Sequence, residues 1–307
     1  MFKYTLKRIA ISLLTIFIVI TATFFLIRAI PGGPFTGEKK LPPSILENLN
    51  KKFGLDKPMS QQYTTYVSSI VTKGDLGPSM MYEGTTVNDI IKKFFPVSAK
   101  LGLASVVFSL IFGVLLGILS ALKENKWQDR LSMVISTIGV TVPSFVMATL
   151  LTYVFAIKLK LFPAIGLKSV SSYVLPTIAL GGYSMAFVSR LSRSSLVEVL
   201  RQDFIRVAKA KGLPQRVVIV KHALRNSLIP IITYVGPLLA SVLTGSFVVE
   251  SIFGIPGLGR EFVTSISNRD YTEIMGLTIF YCAFLVICNL IVDILYGFVD
   301  PRIKIQD

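Results

Sequence analysis

Along this chain, apolar runs of membrane-crossing length alternate with short charged stretches. Ile9–Ile30, Ser98–Leu122, Met133–Ile157, Ser172–Arg190, Ser227–Val249 and Ile274–Val299 each come near the ~20 residues that a helix needs to cross ~30 Å of hydrocarbon. Between the first two runs the pattern changes. From Pro31 to Pro96 the sequence is polar and carries short apolar stripes at helical spacing. Leu46, Leu49 and Phe53 form one stripe ended by Gly54, and Tyr63, Tyr66, Val67 and Ile70 form a second ended by Gly74. Val87, Ile90, Ile91 and Phe94 form a third. The pattern predicts an all-α polytopic membrane protein with six spans and a small helical region after the first. Residues 1–97 would form that first part, and 98–307 a five-helix core with a cytoplasmic loop at 190–226.

Composition agrees with a lipid solvent: 52% of the residues are hydrophobic and the mean hydropathy is +0.66. The formal charge of +15, from 32 basic and 17 acidic residues, is large enough to raise nucleic acid as a partner. Much of it, however, lies beside apolar runs, where it sets orientation, so nucleic-acid binding is not expected. Lys3, Lys7 and Arg8 put the amino terminus on the cytoplasmic side. Lys123, Lys126 and Arg130 mark an inner loop, and Arg302 and Lys304 an inner tail. Both termini are thus expected inside, with the loop of Lys158, Lys160 and Lys168 outside despite its lysines. The first run is read as an uncleaved anchor, because Pro31-Gly32-Gly33-Pro34 offers no small-x-small cleavage pattern. Arg28 near its outer end is expected to snorkel to the interface rather than to touch a solute.

Catalytic chemistry is hard to build from these residues. His222 is the single histidine and sits in a basic loop, so no zinc cluster or histidine-based nucleophile is expected. Cys282 and Cys288 fall on one predicted helix and point to different sides. Gly254, Gly257 and Gly259 lack the Walker spacing and no Lys-Ser/Thr follows, which excludes nucleotide binding by this stretch. Ile255-Pro256-Gly257-Leu258-Gly259 cannot continue a helix, so the chain must turn there. Among acids near the spans, Glu250 and Asp293 fall towards span ends, which argues against a carrier driven by protons or sodium. Gly113-xxx-Gly117 is a candidate helix-packing face, and Pro143, Pro176, Pro230 and Pro237 would bend or break helices.

The stretch from Glu198 to Pro230 stands apart. Arg190, Arg193, Arg201, Arg206, Lys209, Lys211, Arg216, Lys221 and Arg225 face only Glu198 and Asp203 as acids. Leu200, Phe204, Val207 and Ala208 fall on one helical face, with Gln202, Arg206 and Lys209 on the other. Gly212 can end that helix in a left-handed conformation and Pro214 suits the first turn of a second, so a protruding corner is expected. Such a basic segment either rests on anionic lipid or is presented to another protein. A sharp corner leading straight back to the bilayer favours the second.

FIRVAKAKGL followed by HALRNSLIP resembles the cytoplasmic coupling loop of ABC-importer permeases in its peptide-transporter form. Against the general pattern Glu-Ala-Ala-x-x-x-Gly, then Ile-x-Leu-Pro, Ala208, Gly212 and Leu224 match. Arg206, Val207, His222 and Arg225 depart from it, as is typical of the peptide branch. PGGPF, GLDKP, GDLGPS, FGIPGLGR, NRDY and Asp300-Pro301-Arg302-Ile303 carry the likeness over nearly the whole chain. The resemblance implies the type I permease architecture, half of a translocation path, and a bacterial plasma membrane. It further implies a heterodimer with a homologous permease, two ATPase subunits that bind ATP and magnesium, and an extracellular peptide-binding lipoprotein, with no cofactor in this chain. By the same resemblance Gln202, Asp203, Phe204, Arg206, Ala208, Lys209, Lys211, Gly212 and Leu213 would couple to the ATPase, with Phe204 as the apolar anchor. Ser246, Glu250, Pro256, Gly257 and Gly259 are candidates for the wall or gate of the path. Oligopeptides are the expected cargo, with dipeptides or nickel chelates as alternatives. A channel or secondary carrier acting without an ATPase is the alternative of a different class.

Overall fold

The computed structural model describes residues 2–35, 42–167, 169–243 and 246–299, without the side chains of 2–4, 240 and 293–299. The Lys3 side chain, Lys168, Thr244-Gly245, the Asp293 side chain and the tail with Arg302 and Lys304 therefore lie outside the described parts. In chain order the helices are α1 (Phe2–Ala29), α2 (Pro43–Lys52), α3 (Met59–Lys73), α4 (Val87–Leu122), α5 (Trp127–Thr141) and α6 (Ser144–Lys158). They continue with α7 (Val174–Leu200), α8 (Asp203–Ala210), α9 (Gln215–Ser227), α10 (Ile229–Leu243), α11 (Phe247–Ile252), α12 (Leu258–Asn268) and α13 (Tyr271–Val299). Among the described residues the β structure is one isolated bridge, Pro78 with Thr86.

Four continuous helical stretches are long and apolar enough to cross a membrane: Thr5–Ala29, Val87–Leu122, Val170–Leu200 and Tyr271–Val292. Two further candidates are bent pairs, and the first breaks at Pro143, one of the prolines expected to bend or break a helix. α5 and α6 meet at 111°, because Pro143 excludes helical conformation at Val142, whose backbone is extended (φ −83°, ψ 120°). α9 and α10 meet at 45° around Leu228, and α11 is a separate short helix rather than the end of the fifth span.

Other boundaries also move. The third stripe of the polar region is the first part of α4, which runs on through Pro96. The proline removes one backbone donor, and in a membrane helix neighbouring groups can satisfy the carbonyl it frees. α7 extends to Leu200, so Arg190 and Arg193 belong to a helix and not to the loop. Leu258 and Gly259 already lie in α12, leaving Ile255–Gly257 as the turn.

Two compact units emerge: residues 1–98 with 256–307, and residues 99–255. In the first, Phe24 and Ile27 of α1 bury against Tyr271 and Met275 of α13, with Tyr63 and Tyr66 of α3 closing the cluster. Val87 and Ile90 pack on Leu258 and Leu277. Asp270 ties the polar region to α13. Its carboxylate accepts hydrogen bonds from Ser79 Oγ (2.5 Å), Met80 N (2.9 Å), Met81 N (3.2 Å) and Glu273 N (3.0 Å). It thereby caps the helix and holds the 79–82 loop together.

In the second unit, small residues let helices approach. A Cβ on Gly113 would sit 2.7 Å from the Met185 carbonyl oxygen of α7, so the Gly113/Gly117 face of α4 is a packing face against α7. Gly139 of α5 meets the Gly182 carbonyl of α7 in the same way, at 2.9 Å from an added Cβ, and Gly102 meets Val242 O of α10 at 2.7 Å. The 159–167 loop is tied to the end of α11 by a hydrogen bond from Gly166 N to Phe253 O (2.8 Å).

Candidate functional site: the basic elbow

α7 ends at Leu200, and the extended backbone of Gln202 (ψ 154°) redirects the chain into α8. Asp203 lies in the first turn of α8 and Lys209 in its last, both complementing the helix dipole. Gly212 takes a left-handed conformation (φ +74°) with Lys211 as the cap before it, and Gly212 N donates to Lys209 O (3.0 Å). Nothing lies within 4 Å of where a Gly212 Cβ would stand, so the demand for glycine there is conformational, not steric. Pro214 is the residue before α9 rather than inside its first turn.

The buried ridge of α8 differs from the one its pattern predicts. Ile205 and Ala208 are buried against Ala121 of α4, Leu196 and Val199 of α7, and Val218 and Ala223 of α9. Burying Ile205 is worth about 1.5–3 kcal/mol and fixes the roll of the helix. Phe204 (39% exposed), Val207 (53%) and Leu213 (38%) point away from this core. The apolar arc of α8 spans both ridges, wider than one neighbour can cover, and only one is used internally. Gln202, Asp203, Arg206, Lys209, Lys211 and Gly212 are exposed as well, so of the anticipated coupling residues only Ala208 is internal. The Arg206–Asp203 contact (3.5 Å) is fully in solvent and holds little.

Beneath the elbow sits a clamp that the sequence reading passed over. Arg193 of α7 makes a two-pronged pair with Asp129 of α5, Nε to Oδ1 at 2.8 Å and Nη2 to Oδ2 at 2.8 Å. Ser120 Oγ of α4 donates to Oδ1, and Asn125 N donates to Oδ2 at 2.9 Å. The Asp129 side chain is 6% exposed and Arg193 25%. Arg201, just past α7, adds a contact to Glu124 at 2.8 Å. α4, α5 and α7 are thus joined at the level where α8 rests on α4 and α7. The signal available in sequence was a pair of acids, Glu124 and Asp129, among Lys123, Lys126 and Arg130.

The candidate pore residues are divided between the two units. Ser246 caps α11, accepting from Val249 N (3.2 Å), and Glu250 is fully buried in that helix, both in the second unit. Pro256, Gly257 and Gly259 belong to the first unit, where Gly257 caps α12 and Leu258 N donates to Ser98 Oγ (2.8 Å). Glu273, an acid not singled out from the sequence, is buried in the first turn of α13 with neither carboxylate oxygen hydrogen-bonded. Among the described residues no group of His, Cys, Asp and Glu is placed to hold a metal ion.

A helical membrane protein with broken spans and an exposed basic elbow is the arrangement of an importer permease. The chain belongs to the family described as binding-protein-dependent transport system inner membrane component, which matches residues 113–305, and the N-terminal model of the same family matches 1–102. It is 48% identical over 306 residues to the dipeptide transport system permease protein DppB of Bacillus subtilis (strain 168), covering 100% of this chain and 99% of that one. It is 44% identical over 306 residues to the oligopeptide transport system permease protein OppB of Salmonella typhimurium, covering 99% of this chain and 100% of that one. Among solved structures, an amino acid ABC transporter with histidines shares the fold over 68% of this chain and 93% of its own (TM-score 0.54, 15% identity). The MetNI methionine ABC transporter in an inward-facing form does so over 66% and 95% (TM-score 0.52, 15% identity).

Proposed function

We propose that this chain is a permease subunit of an ATP-driven peptide importer, and that α8 is the lever through which a separate ATPase moves it. The supporting observation is the division of α8 into two ridges. Ile205 and Ala208 anchor it to α4, α7 and α9, while Phe204, Val207 and Leu213, flanked by Arg206, Lys209 and Lys211, are exposed. An exposed apolar ridge with a basic rim suits the cleft of another protein. The Asp129–Arg193 clamp would carry displacement of α8 into α4, α5 and α7 as one body.

In this reading a second, homologous permease supplies the other half of the path, two ATPase subunits bind ATP and magnesium, and an extracellular lipoprotein delivers the solute. Both termini face the cytoplasm of a bacterial plasma membrane. Peptides as cargo rest on the names of the relatives, and the oligopeptide class is the reading we favour over dipeptides or nickel chelates. Ser246, Glu250, Pro256, Gly257 and Gly259 remain the proposed wall or gate.

Reconstitution tests this directly. Liposomes holding the assembled complex take up labelled oligopeptide only with ATP, and liposomes holding this chain alone take up none. ATP-independent uptake by the isolated chain would overturn the lever in favour of a carrier or channel.

A further inference from the structure

We propose that a cavity among α1, α2 and α3 is a binding site for a phosphate-bearing anion, occupied by the headgroup of an anionic phospholipid lying against α1. This holds whatever solute the transporter carries.

Arg28, in the last turn of α1, does not reach outward as its position suggests. Its Nε donates to Gln62 Oε1 (3.0 Å), its Nη1 to Phe24 O (3.3 Å) and Met275 Sδ (3.4 Å), and its guanidinium carbon stands 3.5 Å over the Phe24 ring. Gln62 is itself locked, its amide nitrogen donating to Leu55 O (3.2 Å) and Lys57 O (2.8 Å), which turns its oxygen to Arg28. Every partner of the guanidinium is neutral, and among the described residues no carboxylate pairs with it. A part-buried cation held in place without a counter-ion is costly unless an anion completes it.

The space beside it supports that completion. A cavity of about 340 Å³, within the size range of small-ligand sites, is bounded by Arg28, Thr65, Tyr66, Ser69, Lys57 and Asp75 among others. The Tyr66 hydroxyl is buried with no hydrogen-bond partner, and burial pushes its phenol above the usual range, Arg28 opposing and Asp75 adding, so it remains a donor. Lys51 and Lys52 on the rim are paired with Glu47 (2.7 Å) and Glu83 (3.3 Å). Arg28 and Lys57 are left against Asp75, whose Oδ1 already accepts from Gly77 N (2.9 Å). The walls thus offer donors and net positive charge, and the missing partner is an acceptor-only, negatively charged group. A phosphate meets that description. Exposed Phe25 and Leu26 near the end of α1, and Ile30 just past it, place acyl chains at this level, which favours a lipid headgroup over soluble phosphate.

The test is native mass spectrometry of the full chain in uncharged detergent, titrated separately with phosphatidylglycerol, phosphatidylcholine and inorganic phosphate. The expected result is one phosphatidylglycerol held about tenfold more tightly by the wild type than by Arg28→Gln, as loss of one charge-assisted contact implies. Tyr66→Phe, which keeps the ring, should lose about threefold. Weaker retention of phosphatidylcholine, and no displacement by inorganic phosphate at matched concentration, identify the anionic lipid as the source. Equal phosphatidylglycerol binding by wild type and Tyr66→Phe, or by wild type and a folded Arg28→Gln, would overturn the site. Displacement by inorganic phosphate alone would overturn the lipid assignment.

Discussion

Two corners of this protein are written in nearly the same residues and do opposite things. After α8 come Lys211, Gly212, Leu213 and Pro214, and after α11 come Phe253, Gly254, Ile255 and Pro256. Both glycines are left-handed, at φ +74° and +58°, so in each a short helix is stopped and a proline bars its resumption. At the second corner Phe253 and Ile255 are buried, and a Cβ on Gly254 would stand 2.6 Å from Ile165. At the first, Leu213 is exposed and the space around Gly212 is empty. Local chemistry makes the turn in both. Tertiary surroundings make one an internal joint and leave the other available to a partner.

Three sets of variants sharpen the contrast. The largest effect is expected beneath the open corner. Asp129→Ala strands Arg193 and removes the acceptor of Ser120 and Asn125, and with Arg193 a quarter exposed the loss should sit near the lower end for such pairs, about 3 kcal/mol. Thermal unfolding of the purified chain reads it. Peptide uptake should fall further than ATP hydrolysis in whatever complex still assembles.

The corners themselves come next. Gly254→Val combines a strained φ with overlap on Ile165, about 2–4 kcal/mol together. Gly212→Val meets only the strain, about 1–2 kcal/mol. The first should lower the yield of folded protein; the second should assemble normally, yet uncouple hydrolysis from transport about tenfold. Equal loss of folding at both corners would erase the distinction.

The two ridges of α8 should differ most from each other, the inner one costing as much as a closed corner and the outer one giving the smallest effect of all. Ile205→Ala should cost about 2–4 kcal/mol by opening the core beneath the helix. Phe204→Ala should change stability by less than about 0.5 kcal/mol while weakening ATPase association.

The polar region and the elbow show what could be read beforehand. Gly54 and Gly74 ended α2 and α3 where the stripes stopped, because a left-handed glycine is a local signal. Gly212 marked the elbow for the same reason. The roll of α8 was not legible, since Phe204, Ile205, Val207 and Ala208 form one broad apolar arc and only the neighbours from α4, α7 and α9 decide which half turns inward. Pro143 was seen as a breaker, but the 111° bend depends on how α5 and α6 each pack on α7. Pro96 misled in the opposite sense, because one lost donor does not end a helix whose other bonds are kept. The Asp129–Arg193 clamp joins residues far apart in sequence, which no local pattern reports.

The central claim is that the outer ridge of α8 seats in an ATPase while the inner ridge holds the helix to its own subunit. Single cysteines at 204, 205 and 207 in the assembled complex, treated with a short bifunctional thiol reagent, test it most directly. The account predicts adducts to the ATPase subunit from 204 and 207, changing in yield when ATP is added, and none from 205. Adducts from all three positions, or from none while the complex is intact and active, would contradict it.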